Sequence, residues 1–391
     1  MPHAVPSVDR SRSSRTAELL VAVLWLGAVI ATTVQQGVTH QNNNFLIFRA
    51  ASLHLMHGID LYAAYPALHA DMFKYSPAFA LLFLPLAVIP FTLAMLVWNT
   101  LNAGALYLAL GRVLAPRKAT IARAVVFLDM LGSLQNVQSN ALVAGLMIFT
   151  FAWYERNRPV LGTTAALIGT AIKIFPLAAV SFAVFHRRKL SVAVATALGL
   201  VAIVFLPLLV TSPASLLAQY ESWRAIELKD SRELGFTVMQ MVELLFRQGW
   251  PSWPQQLAGT LLLVAPVLLR REGRGEQTFR LDYLCSVLIY CVIFNHQSES
   301  PTFVIAVAGA AVWFAALDRR TPWEWALFGF IVVCTILASS DAMPNAVQRE
   351  LFDRYHFKTV PLIVLWVALQ MRLWGRYTGP SPRQFTRRDP T

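Results

Sequence analysis

The chain has 391 residues, of which 56% are apolar and only 14% are charged, and its mean hydropathy is +0.53. This composition excludes an ordinary soluble enzyme and indicates a polytopic membrane protein. The formal net charge is +12, but the basic residues form short clusters between apolar segments and lack interleaved aromatic residues, so we expect no nucleic-acid partner. The three cysteines lie within apolar runs, which argues against a disulfide framework or a cysteine metal site.

Basic clusters predict the orientation of the chain. They precede or separate the apolar segments, at 10–15, 187–189, 270–274 and 319–320. The positive-inside rule assigns such clusters to the cytoplasmic side of a membrane. We therefore predict a cytoplasmic basic tail over 1–16, a single transmembrane domain over 17–377 and a second cytoplasmic tail over 378–391.

Apolar segments that approach the length of a membrane span recur along the chain. A span needs about 20 apolar residues, and the candidates are 17–37, 91–112, 119–134, 138–154, 190–211, 254–270, 279–295, 301–317, 323–339 and 357–375. Together they predict an all-α polytopic membrane helical bundle with about 11 spans, in a range of roughly 10 to 13.

Two segments admit alternatives. Residues 160–185 have basic residues at both ends, which predicts an even number of crossings by two short helices that meet near Lys173 and Pro176. Their length also suits one tilted helix. Residues 76–90 are predicted to lie at the membrane interface as a helix, and the alternative is two spans joined at Pro90.

Polar stretches are expected to gather on the outer face of the membrane. They are the first loop (38–75), with interfacial helices, the turn at 134–140, the bend at Lys173, the second loop (212–236) and the stretch 294–300. The connections on the other side carry little besides Arg and Lys. This asymmetry predicts an outward cavity.

The motifs in these stretches resemble those of glycosyltransferase family 87, integral membrane enzymes with the C-type glycosyltransferase fold. They are GIDLY (58–62), KYSPAFALLFLPLAVIP (74–90), QNVQSN (135–140), GTAIKIFP (169–176) and NHQSESPTFVIA (295–306). The resemblance implies transfer of a sugar, with mannose as the first choice, from a polyprenyl-phosphate donor to a lipid or cell-envelope glycan acceptor. It implies that transfer takes place on the outer face of the plasma membrane, with both termini cytoplasmic. It implies no cofactor besides the lipid-linked donor, and membrane lipids as partners.

The family also implies a general base, and here the sequence departs from it. C-type enzymes commonly place an acid at the start of the first outer loop, where this chain has Asn43 and Asn44. Asparagine cannot take up a proton at neutral pH. The candidate catalytic residues that remain are Asp60, Glu299 and the neighbouring His296.

Other interpretations of these residues stay open. Asp60 is also suited to cap a short helix that starts at Leu61, and Glu299 to cap the span after Pro301. The asparagine pair motivates a second function, a non-catalytic binder or transporter of a polyprenyl phosphate or lipid-linked sugar. No nucleotide-binding or metal-binding motif stands in a convincing context, so we predict no obligatory metal.

Polar side chains near the loops are candidates for substrate binding. Lys173 interrupts an apolar run, so it is expected to face a cavity and a donor phosphate, or else to extend to the headgroups. Arg49 suits bidentate phosphate binding, or the anchoring of an amphipathic helix. The remaining candidates are Asn44, Lys74, Tyr75, Gln138 and Asn140, of which the last two also suit a helix cap before Ala141. Asp129 is expected to join helices or the site.

Overall fold

A computed structural model of the protein describes residues 7–39, 42–230, 234–247, 249–339 and 343–375. All regular elements within these ranges are helical, which confirms the predicted all-α class. The predicted tail at 378–391, and the first six residues of the tail at 1–16, lie outside the described residues. So do His40 and Gln41 of the first loop and 231–233 of the second.

The α-helices are numbered in chain order. They are α1 (Ser7–Thr39), α2 (Asn43–His57), α3 (Pro77–Val88), α4 (Phe91–Val113), α5 (Pro116–Gln135), α6 (Asn140–Glu155), α7 (Pro159–Ile172), α8 (Lys189–Phe205), α9 (Pro213–Asp230), α10 (Val238–Phe246), α11 (Trp253–Leu269), α12 (Gln277–Ile293), α13 (Phe303–Ala316), α14 (Pro322–Ile331), α15 (Asn345–Val347) and α16 (Val360–Trp374). Short 3₁₀ or π segments connect or extend them at Phe175–Phe185, Leu206–Leu209, Arg271–Gly275, Ser300–Thr302, Val332–Ile336, Leu337–Ser339, Gln348–Asp353 and Phe357–Thr359.

Four helical stretches among the described residues are long and apolar enough to cross a membrane. They are Arg15–Thr39, Phe91–Val113, Lys189–Leu209 and Phe357–Trp374. Several other apolar helices have 10 to 17 residues. These lengths and compositions agree with a polytopic membrane protein, while the total number of spans stays a prediction.

The predicted break at Lys173 is confirmed. Helix α7 ends at Ile172, Lys173 has an extended backbone with φ −138° and ψ 146°, and the chain continues as the 3₁₀ helix Phe175–Phe185. The two segments pack on each other. A β-carbon added to Gly169 would lie 3.0 Å from the Cβ of Pro176, so glycine permits this close approach. A single tilted helix over 160–185 is therefore wrong.

The segment 76–90 forms a short helix of its own. Ser76 caps α3 by accepting a hydrogen bond of 3.2 Å from the Phe79 N–H, and it also donates to the carbonyl of Ala171 at the end of α7. A helix of 12 residues is about 18 Å long, whereas the hydrocarbon core is about 30 Å thick. This length favours the predicted non-spanning helix over a span that ends at Pro90.

The centre of the bundle is apolar and closely packed. In α13, every residue from Phe303 to Ala315 is buried, as expected of a helix that is apolar on all sides. Helices α4 and α6 approach so closely that a β-carbon on Gly145 would lie 2.6 Å from the carbonyl carbon of Ala105. The close approach of α6 matters for the site, because α6 begins at Asn140.

We expect Gly145→Ala to lower the thermal unfolding temperature of the purified protein, because overpacking in a dense core costs about 1–3 kcal/mol. Gly104→Ala is the matched control on α4, since nothing lies within 4 Å of a β-carbon at that position. Differential scanning fluorimetry in one detergent measures both. Equal unfolding temperatures for the two variants would contradict the close helix contact.

Candidate active site

A cavity of about 780 Å³ lies where the polar stretches meet. Each of the five stretches contributes to its lining, which includes Asn44, Asp71, Lys74, Tyr75, Gln138, Lys173, Trp223, Glu227, Asn295, His296, Gln297 and Glu299. The volume lies within the range of about 300–1,000 Å³ that is typical of small-molecule sites. Most of the predicted site residues therefore line one cavity.

Lys173 reaches the cavity from the break after α7. Its Nζ donates a hydrogen bond of 2.7 Å to Oδ1 of Asn140, and it lies 5.6 Å from the centre of the Tyr75 ring. Asn140 is fully buried at the start of α6. A neutral amide orients the ammonium but does not cancel its charge. The carboxylate of Glu299 attracts this ammonium, so a cation and an anion act within one cavity.

Glu299 is exposed towards the cavity at the end of the stretch 294–300. Glu299 occupies the N-cap position of the following 3₁₀ turn, but its side chain makes no capping hydrogen bond there. Oε2 accepts a long hydrogen bond of 3.5 Å from Gln138, and Oε1 of Gln138 accepts one of 3.3 Å from the Tyr75 hydroxyl. Burial raises the pKa of the Tyr75 phenol above its usual value, which keeps Tyr75 a donor.

The model of glycosyltransferase family 87 matches residues 73–340, more than half of the chain. The chain belongs to glycosyltransferase family 87. This confirms the resemblance seen in the motifs, and the protein is a membrane glycosyltransferase. No curated protein matches the sequence.

The second loop of the glycosyltransferase fixes the backbone of the stretch 294–300, which carries Glu299. The Gly235 N–H donates to the carbonyl of His296 and the Phe236 N–H to the carbonyl of Ser298, both at 2.8 Å. A β-carbon on Gly235 would lie 2.4 Å from the Ser298 oxygen, so only glycine allows this approach without a shift of backbone. His296 and Glu299 are thus presented by backbone that is fixed from outside the stretch.

Lys358, which the sequence analysis did not single out, contacts the stretch that carries Glu299 from inside the bundle. Lys358 is 2% exposed, and its Nζ donates a hydrogen bond of 2.7 Å to Oγ of Ser300. Its charge is attracted to Asp129 on α5, which is 9% exposed. Asp129 is not among the described residues that line the cavity. A lysine inside the predicted span 357–375 was the available signal for Lys358.

Asp60 lies elsewhere. It is not among the described residues that line the cavity; its carboxylate accepts hydrogen bonds of 3.0 Å from the Tyr62 N–H and 3.2 Å from the Ser222 hydroxyl. The expected helix from Leu61 is absent at 61–63, which form a bend, so the capping alternative is wrong. The contact to Tyr62 is typical of an Asx turn.

Arg49 is also outside the described lining of the cavity. Its Nη1 donates a hydrogen bond of 3.3 Å to the carbonyl of Ile89, and its guanidinium lies 5.7 Å from the centre of the Phe91 ring. The side chain thus binds the backbone between α3 and α4. Neither phosphate binding nor headgroup anchoring accounts for this contact.

The asparagine pair connects the first loop to its surroundings. Oδ1 of Asn43 accepts a hydrogen bond of 2.8 Å from the Ala70 N–H, and Nδ2 of Asn44 donates one of 2.7 Å to the carbonyl of Asn136. Asn43 thereby fixes the backbone next to Asp71, a cavity carboxylate that was not predicted. Both amides thus hold backbone segments together, at the position where the motif resemblance led us to expect an acid.

We expect Asp60→Asn to transfer sugar at nearly the wild-type rate, because Asp60 binds Tyr62 and Ser222 and does not line the cavity. Asp60→Ala should instead lower the unfolding temperature, since the loss of a hydrogen bond that holds the first loop costs about 1 kcal/mol. Initial rates and thermal unfolding test this. A rate loss of about a hundredfold in Asp60→Asn, with normal unfolding, would make Asp60 a catalytic base after all.

Proposed function

We propose that the glycosyltransferase moves a sugar, mannose as the first choice, from a polyprenyl-phosphate donor to a hydroxyl of a lipid or cell-envelope acceptor at the outer face of the plasma membrane. The observation that supports this most strongly is that Lys173 and Glu299 line one cavity. An ammonium suits a donor phosphate, and a carboxylate suits an acceptor hydroxyl that must lose a proton.

The donor phosphate is assigned to the lysine side of the cavity. Lys173 and Lys74 both line it, and the contact of Lys173 with Asn140 leaves its positive charge in place. As the glycosidic bond breaks, negative charge grows on the departing phosphate oxygen. Fixed cations in a dry site stabilise such charge, and removing one fixed donor typically costs about 10²–10³ in rate.

Glu299 is assigned as the general base. Among the cavity carboxylates, Asp71 accepts a hydrogen bond of 2.8 Å from the Met72 N–H and Glu227 accepts one of 3.1 Å from the Trp223 indole. The contact of Glu299 with Gln138 is longer, at 3.5 Å, so its lone pairs are better placed to accept a proton.

The proposed transfer is a displacement at the anomeric carbon of the donor sugar. The acceptor oxygen forms a bond to the anomeric carbon, the bond from that carbon to the phosphate oxygen breaks, and its electron pair leaves with the phosphate. The acceptor proton moves to Glu299. His296 lines the same cavity. Attack opposite to the leaving group inverts the anomeric configuration.

The alternative function is a binder or transporter of a lipid-linked sugar without chemistry. The asparagine pair suggested this alternative, because asparagine cannot act as a base. Both asparagine side chains form hydrogen bonds to backbone around the first loop. Glu299 can therefore act as the base although the pair is not acidic. Incubation of the purified protein with polyprenyl-phosphate mannose and a lipid extract separates the two functions: a new glycolipid supports transfer, and binding without product supports the alternative.

We expect Glu299→Gln to lower kcat by about 10²–10⁴ with little change in donor affinity, because the amide cannot accept the proton. The matched control is Glu272→Gln, an exposed glutamate paired with Arg270 and not among the cavity-lining residues. Product formation from radiolabelled donor measures both. Full activity of Glu299→Gln would rule out its assignment as base.

We expect Lys173→Met to weaken donor binding by at least about tenfold, since the phosphate loses its ammonium partner. Lys173→Arg should recover part of the affinity, because it restores the charge but not the geometry of the Asn140 contact. Titration with polyprenyl phosphate provides the measurement. Unchanged affinity in Lys173→Met would contradict the assigned phosphate site.

A further inference from the structure

Helix α9 supplies cavity-lining groups that the proposed reaction does not use. Trp223 and Glu227 both line the cavity and are one helical turn apart. The indole Nε1–H donates a hydrogen bond of 3.1 Å to Oε1 of Glu227. This bond fixes the indole ring and the carboxylate relative to each other.

The first loop holds this face of α9 in place. Gln219 lies one turn before Trp223 on the same face, is 3% exposed, and exchanges two hydrogen bonds of 2.9 Å with backbone: it accepts from the Leu61 N–H and donates to the carbonyl of Ile59. The loop and the helix therefore form one unit, and Trp223 projects from a fixed element.

Neutral polar groups from α11 and α12 complete this part of the cavity. Gln256, Thr260 and Tyr290 all line it. The hydroxyls of Thr260 and Tyr290 are 2.5 Å apart, and Nε2 of Gln256 donates a hydrogen bond of 3.2 Å to the carbonyl of Phe294. Such hydroxyl and amide groups offer both donors and acceptors to a ligand.

We propose that the α9 wall, Trp223 with Glu227, is a subsite for a pyranose ring. The proposal rests on the proposed function and names the group that binds beside the reacting centre. A pyranose has an apolar C–H face that packs on an indole ring, and hydroxyls that donate to a carboxylate. Glu227 would repel a phosphate, so a neutral polyhydroxyl ligand fits this wall better than a second phosphate does.

The ring belongs either to the donor or to a glycan on the acceptor, and kinetics distinguish these sources. Trp223→Ala should raise KM by about tenfold for whichever substrate carries the ring, which corresponds to an aromatic contact of about 1.4 kcal/mol. Trp223→Phe should fall between Trp223→Ala and wild type. The control is Trp253→Ala, because Trp253 is 63% exposed at the start of α11 and is not among the lining residues.

Direct binding provides a test that does not need turnover. Saturation-transfer NMR with methyl hexopyranosides, on the full chain in nanodiscs, should show contact with wild type and Trp253→Ala and a clear loss with Trp223→Ala. If the protein transfers no sugar, the proposed function fails, but the NMR experiment still tests the subsite. The subsite would be overturned if Trp223→Ala showed the same saturation-transfer signal as wild type. Where sugar transfer can be measured, its KM for both substrates would then also be unchanged.

Discussion

The hydrogen bond from Lys173 to Asn140 is the interaction on which the candidate site depends. A charged side chain among apolar helices is costly, by about 2.5–3.5 kcal/mol or more at mid-membrane, and persists where it has a partner and a purpose. Here the partner is neutral, so the ammonium is oriented and its charge still acts on the cavity. The turn after Ile172 and the packing of Pro176 on Gly169 keep the lysine at that point.

The cavity is formed by loops that are distant in sequence and are joined by hydrogen bonds to one another's backbone. Gln219 ties the second loop to the backbone of the first, and Gly235 ties the second loop to the stretch that carries Glu299. Lys358 binds the end of that stretch from inside the bundle. Residues that line the cavity thus lie on short segments whose backbone positions are set by contacts made elsewhere. Such support is what a site requires to hold substrates within the small tolerances of a group transfer.

Much of the helical framework was predictable from the sequence, because apolar length and the punctuation by proline and charge act locally. The break at Lys173 and the separate helix α3 followed from these signals. The grouping of Lys173 with Glu299 in one cavity was expected from the order of the polar stretches, and the family match covers both residues.

Side-chain direction within the loops was not predictable. Asp60 drew attention as an isolated acid, yet its loop bends towards α9 and its carboxylate binds Ser222. Arg49 binds the backbone at Ile89 because α3 ends there. Trp223 and Glu227 lie in the second loop, and their place in the cavity depends on the tertiary contact of α9 with the first loop through Gln219.

The most direct test of the central claim is an experimental structure of the protein with a bound polyprenyl phosphate. The account predicts density for the phosphate within hydrogen-bonding distance of Nζ of Lys173, with Glu299 in the same cavity. A phosphate bound instead in the separate cavity of about 540 Å³ beside Arg372, with none at Lys173, would contradict it.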